Sequence, residues 1–167
     1  MIDALPCARL PRRPTIPMIL LSRRSLLALA AVVDIALHAR PSPVAAKNLA
    51  ARHNLPPRYL ETVLQALVRQ GMLKGVRGPR GGYELARERR RVTAGDVVRA
   101  AMSATAEDGL PPRPESRLID TVVAPAIKAA GDAFLAELDR VSIDDLCRAA
   151  ERNGTLTGST VTTDFTI

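Results

Sequence analysis

The chain has 167 residues, room for one domain or a small domain with an added helix, and at 47% hydrophobic it can bury a core, which excludes disorder throughout. Aromatic residues are only 2% and tryptophan is absent, so the core must be Ala, Leu, Val and Ile in closely packed helices. The net charge of +7 is unevenly held: residues 1–91 carry 17 Lys/Arg against 5 Asp/Glu, and residues 92–167 carry 7 against 12. Such asymmetry suits a first part facing a polyanion and a second facing protein, although ordinary surface chemistry in an arginine-rich chain produces it as well.

Prolines at positions 6, 11, 14 and 17 forbid a helix over residues 1–17, and nothing there alternates like a strand. A disordered basic arm is expected, with Met18 a second candidate start. Ser22-Arg23-Arg24-Ser25-Leu26-Leu27 before an apolar run looks like a twin-arginine export signal. Asp34 breaks that run too early to span a membrane, and Leu26, Leu29, Ala30, Val33 and Leu37 share a face, so the segment reads instead as a core helix from about Arg23 to Ala39. Pro41-Ser42-Pro43 ends it.

A short helix is predicted over Ala45 to His53, with Ala46, Leu49 and Ala50 inward, then a turn at Asn54-Leu55-Pro56. The third helix starts on Pro57, where a missing N–H does no harm, and runs to Gln70 before a Gly71 cap. Leu60, Val63, Leu64, Leu67 and Val68 form its buried stripe, which leaves Arg58, Thr62, Gln65 and Arg69 on the opposite face, flanked by Tyr59 and Glu61. A recognition helix needs this division, although a solvated surface helix has it too.

Met72–Arg77 and Tyr83–Ala86 read as short strands closed by the basic tip Arg77-Gly78-Pro79-Arg80-Gly81-Gly82, whose glycines and proline are unsuited to a strand interior. Helix, short helix, turn, helix and hairpin is the order of a winged helix-turn-helix. Its arginines can enter a narrow minor groove while its glycines allow close approach to phosphates. A phosphate loop is disfavoured, because no G-x-x-x-x-G-K-[ST] is present and no helix follows.

Thr93 should cap a fourth helix to about Ser103 with Val97, Val98 and Met102 inward, followed by a proline-rich linker over residues 105–117. A long helix from about Ser116 to Arg140 carries a wide apolar stripe that includes Leu118, Val122, Ile127, Phe134 and Leu138. So little chain remains to cover it that a partner subunit is the expected cover; Pro125 inside it predicts a kink or a later start. Ser142 should cap a final helix, Ile143 to about Arg152, before a polar tail. Cys7 and Cys147 have no metal or redox spacing and fit a reducing cytoplasm; His38 and His53, at predicted helix ends, read as surface or capping histidines rather than catalytic ones.

Val33-Asp34-Ile35-Ala36-Leu37-His38, Pro57-Arg58-Tyr59-Leu60-Glu61, Val76-Arg77-Gly78-Pro79 with Gly81-Gly82-Tyr83, and Thr93 to Ala100 together resemble the IscR-like regulators, or Rrf family, dimeric winged-helix transcription factors of bacteria. The resemblance covers about Leu20 to Asn153. It implies that Glu61 reads bases, by accepting from cytosine N4, and that Arg77 enters the minor groove. Pro56, Pro57 and Arg58 stand where the family usually places small hydroxyl residues, so those contacts are absent here. Iron-sulfur members carry three cysteines in the linker, whereas residues 105–117 carry none, so the chain resembles a cluster-free branch with no cofactor.

The expectation is therefore a mainly α fold with a β-hairpin wing and a long dimerisation helix. Its parts are a basic arm (1–17), a winged helix-turn-helix domain (18–104), a linker (105–117), dimerisation helices (118–153) and a tail (154–167). The function read from it is a non-enzymatic, cytoplasmic, homodimeric repressor on a palindromic operator in double-stranded DNA. Helix 57–70 would lie in the major groove and wing 77–83 at the minor groove, with Arg58, Tyr59, Glu61, Thr62, Gln65, Arg69, Arg77 and Arg80 at the interface. The alternative is a protein-interaction module on a winged-helix scaffold with residual DNA contact. Operator and effector are left open.

Overall fold

The computed structural model describes residues 21–103 and 116–154; the predicted arm, most of the linker and nearly all of the tail lie outside them. The elements in order are α1 (Arg23–His38), α2 (Ala46–Arg52), α3 (Pro57–Arg69), β1 (Leu73–Val76), β2 (Gly82–Leu85), a 3-10 turn (Arg89–Arg91), α4 (Ala94–Ser103), a π-helical segment (Ile119–Val123), α5 (Ala124–Asp139) and α6 (Ile143–Arg152). This is the mainly helical winged fold expected from the sequence.

α1 is the central helix. Ser22 caps it, its hydroxyl accepting from the Ser25 amide at 3.1 Å, and Ala39 closes it by donating to Ile35. The buried residues of α1 are Ser25, Ala28, Ala31, Val32, Asp34 and Ile35, so the predicted inward face was misplaced. Because α1 touches α3, α4, α6 and β2, its small alanines meet the closest neighbours, and Leu29, Val33 and Leu37 are only partly buried around them. α3 packs as predicted through Leu60, Val63, Leu64 and Leu67, with Val68 at the edge, and Gly71 follows it at φ 66°, a left-handed conformation that suits glycine.

β1 and β2 pair antiparallel, Leu73 with Leu85 through Val76 with Gly82. Gly82 thus belongs to a strand rather than to the tip, and Val44 makes an unpredicted third rung: its amide donates to Tyr83 at 2.9 Å and the Tyr83 amide donates back at 2.8 Å. A Cβ on Gly82 would lie 2.4 Å from the Val44 carbonyl oxygen, so here glycine is required by a passing backbone.

The second half of the chain is stitched to the first by backbone. Ala94 donates to Val141 at 2.8 Å and Ile143 to Val92 at 2.9 Å, which sets the starts of α4 and α6 side by side. Each start carries a reciprocal cap: Thr93 with Asp96, and Ser142 with Asp145. Met102, expected inward, is 55% exposed, because α4 turns Val97, Val98, Ala100 and Ala101 to the core instead. Arg117, assigned to the linker, is already helical. The regular α-helix starts late, at Ala124, with Pro125 in its first turn, as one of the two expected outcomes; the π-helical turn Ile119–Val123 precedes it, widening the hydrogen-bond ladder where the proline supplies no N–H and its ring crowds the preceding turn.

Candidate nucleic-acid interface

The outward face of α3 is one half of the site. Arg58, Tyr59, Glu61, Thr62, Gln65 and Arg69 are all exposed, Tyr59 to 68%, because the stripe opposite them is consumed by the core. No side chain caps the helix start, where Pro56 is the N-cap, and the first turn contains no acid. Pro57 has no N–H and the Tyr59 amide donates to the Pro56 carbonyl at 3.1 Å, so what the helix start offers an incoming anion is mainly the positive end of its dipole. Arg58 and Arg69 lie eleven residues apart, about 16 Å along the axis, so they cannot serve one base pair. Arg58, Tyr59, Glu61 and Thr62 cluster at one end, and Arg69 stands at the other.

The wing is the other half. Gly78 has φ 118°, and its carbonyl accepts from the Gly81 amide at 2.9 Å, closing a turn with Pro79 and Arg80 at its centre. A Cβ on Gly81 would fall 2.3 Å from the Val76 carbonyl oxygen. The turn thus exposes Arg77 and Arg80, while Lys74 and Glu84 pair across the strands at 3.0 Å nearer the base. Among the described residues Arg58, Arg69, Arg77 and Arg80 form no ion pair, so no described carboxylate neutralises their charge.

A buried carboxylate sets α1 against the turn that leads into α3. Arg52 grips Asp34 with two bonds, Nε to Oδ2 at 2.9 Å and Nη2 to Oδ1 at 2.5 Å; His53 Nε2 lies 3.0 Å from Oδ2 and His38 Nδ1 2.9 Å from Oδ1. Burial raises the carboxyl's pKa, but hydrogen bonds from His53 and Arg52 and the charges of Arg52 and His38 outweigh it and hold Asp34 down at about 2. His38, exposed in the last turn of α1, and His53, the C-cap of α2, thus stand at helix ends as expected, and both also face the Asp34 carboxylate, a contact not expected from the sequence. An acid inside an apolar helix, four residues before a histidine, was the available signal; the contribution of Arg52 and His53 from another helix had none.

The acidic half presents a different surface. Leu118, Val122, Val123 and Ile127 are 64%, 57%, 43% and 68% exposed, whereas Phe134 and Leu138 are half-buried. Gly95 lets α4 approach the end of α5, where Asp139 meets Thr93 and Arg99. Asp144, 3% exposed, is surrounded by Arg89, Arg90 and Arg148. Cys147 is fully buried beside it, and burial pushes its thiol pKa up, away from the reactive thiolate.

A family model described as "Rrf2: Iron-dependent Transcriptional regulator" matches residues 21–149. The chain is 35% identical over 95 residues to the putative HTH-type transcriptional regulator slr0846 of Synechocystis, covering 57% of this chain and 61% of that protein. It is 37% identical over 73 residues to the HTH-type transcriptional regulator IscR of Vibrio atlanticus, covering 44% and 42%, so it spans less than two thirds of either relative. With protein rrf2 of Nitratidesulfovibrio vulgaris it shares 30% identity over 125 residues, 71% of this chain and 81% of that one. Among solved structures it is similar to CymR, the global cysteine regulator of B. subtilis (TM-score 0.60, 26% identity, 79% of this chain and 98% of that chain). It is likewise similar to T. potens IscR (TM-score 0.58, 30% identity, 80% and 89%).

The iron named in the family description finds a poor donor set in this chain. Its two cysteines are Cys7, outside the described residues, and Cys147, enclosed in the core. A cluster held by three or four thiolates does not fit them. Among the described residues no three His, Cys, Asp or Glu side chains converge in a way that would hold a metal ion, the Asp34 group being bonded internally. The matched span, the relatives, most of them named as transcriptional regulators, and the shared fold agree: this chain belongs to the Rrf2 family of transcriptional regulators.

Proposed function

We propose that the chain is a sequence-specific repressor that binds a palindromic operator in double-stranded DNA as a homodimer. α3 enters the major groove, Glu61 and the Arg58–Thr62 end read base edges, Arg69 and Gln65 meet backbone, and Arg77 and Arg80 of the wing enter or border the minor groove. The observation that carries this reading is the exposure, on one helix face and one turn, of arginines without an ion-pair partner among the described residues. The exposed stripe on the π segment and α5, led by Leu118, Val122 and Ile127 and extended by Phe134 and Leu138, supports pairing of two copies, which would place two reading helices one turn of duplex apart. Repression follows from a dimer occupying its operator and excluding polymerase. The protein is proposed to work in the cytoplasm without an iron-sulfur cluster; no helix among the described residues is long and apolar enough to cross a membrane.

The test is selection of bound fragments from the source genome, followed by titration of the recovered site. Arg77→Ala should weaken binding and lower the salt slope by about one, whereas Glu61→Ala should relax base preference by about 1–3 kcal/mol at one position. Equal binding to every sequence, indifferent to Glu61, would instead favour a protein-interaction module, and iron with stoichiometric sulfide in the purified protein would overturn the cluster-free part.

A further inference from the structure

A cleft of about 570 Å³ lies at the base of the wing, between the end of α1, the open end of the hairpin and the Arg89–Arg91 turn. Ala36, Leu37 and Leu85 give it a partly buried apolar wall. Five cations, Arg40, Lys74, Arg87, Arg89 and Arg90, face two carboxylates, Glu84 and Glu88. Lys74 is matched by Glu84, and Arg89 and Arg90 by Asp144, which leaves Arg40 and Arg87 without an acidic partner among the described residues. The volume is within the range of small-molecule sites, and the mixture of apolar wall and unmatched cation is what orients an amphiphilic ligand.

Duplex DNA is the less suitable occupant. The cleft is bounded by Lys74, Glu84 and Leu85, in the half of the hairpin away from the Gly78–Gly81 turn, and it is concave, whereas a duplex meets protruding side chains. We infer that this cleft binds a small organic anion, a carboxylate or phosphate monoester on an apolar body, with Arg40 and Arg87 taking the oxyanion and Ala36, Leu37 and Leu85 the body. Arg87 also reaches the far end of α3: its Nη2 would lie 3.7 Å from a Cβ on Gly71. One side chain thus lines the cleft and lies near Gly71, just past the end of the proposed reading helix, which offers occupancy a route to the DNA-facing surface.

Phenyl phosphate titrated into the full chain without DNA, followed by backbone amide NMR, tests this site independently of any DNA reading. Saturable shifts should appear at Ala36, Leu37 and Leu85, and inorganic phosphate, which lacks the apolar body, should bind about tenfold more weakly. The Arg40→Gln/Arg87→Gln pair should weaken phenyl phosphate by about tenfold. Should that variant fail to fold in a thermal melt, the amide map of the unaltered protein decides alone. Shifts confined to α3 and the wing tip, an absence of saturation, or unchanged affinity in the folded double variant would sink the proposal. Adding a duplex supplies the second arm: retention of phenyl phosphate supports a separate effector site, and its stoichiometric displacement assigns the cleft to the DNA surface and overturns it.

Discussion

Asp34 shows what a single residue contributes when partners arrive from elsewhere in the chain. Its carboxylate is almost enclosed, and only the converging Arg52, His53 and His38 make ionisation there favourable. A pKa depressed from the ordinary 3.8 to about 2 means that the folded state binds its proton more weakly than the unfolded state. The contribution, about 2 kcal/mol, is complete above roughly pH 4 and is lost as pH falls towards 2. Asp34→Asn should therefore reduce stability by about that amount at neutral pH, and its unfolding free energy should vary less with pH between 4 and 2 than that of the parent. Denaturant titrations at several pH values measure both; parallel curves would show that another group carries the acid sensitivity. Arg58, Glu61 and Arg77 stand at the opposite extreme, since no side-chain partner among the described residues holds them, and their substitution should change DNA affinity without changing stability.

At the scale of elements, the wing is a two-stranded hairpin with an added bridge on its β2 side. The amide and carbonyl exchange between Val44 and Tyr83 anchors β2 to the segment joining α1 and α2, and Gly82 makes room for it. Gly82→Ala would drive a Cβ into the Val44 backbone and should destabilise the protein by about 2 kcal/mol, with the wing amides losing exchange protection first. Gly75→Ala, in the partner strand, meets nothing within 4 Å and should be neutral or slightly stabilising. A thermal melt of the two variants distinguishes a glycine kept for space from one that is merely permitted. In the long helix a five-residue π segment stands directly ahead of Pro125, where the proline ring crowds the preceding turn.

For the whole molecule, the decisive asymmetry is between α5 with its preceding π segment, which bury no residue, and the other α-helices, each of which buries a face. α3 turns its stripe wholly inward, whereas α5 contains no buried residue. Under the proposed dimer, Ile127→Asp places a charge in the centre of the interface. Sedimentation should then show a monomer that keeps its helical content, since Ile127 is 68% exposed within one chain. Operator affinity should fall by at least tenfold because two half-sites no longer bind as one. A variant that remains dimeric would move the interface away from this stripe.

Periodicity and local chemistry were enough to reveal the helices, their caps, the inward face of α3 and the glycine-arginine tip of the wing. Each of these depends on residues within a few positions of one another, where spacing is itself the geometry. The Asp34 cluster, the Val44 rung, the inward face of α1, the exposure of Met102 and the cleft beneath the wing were decided by tertiary structure alone. Each depends on which element lies alongside, and a neighbour brought from eighteen or forty residues away leaves no mark on the local pattern that a sequence displays.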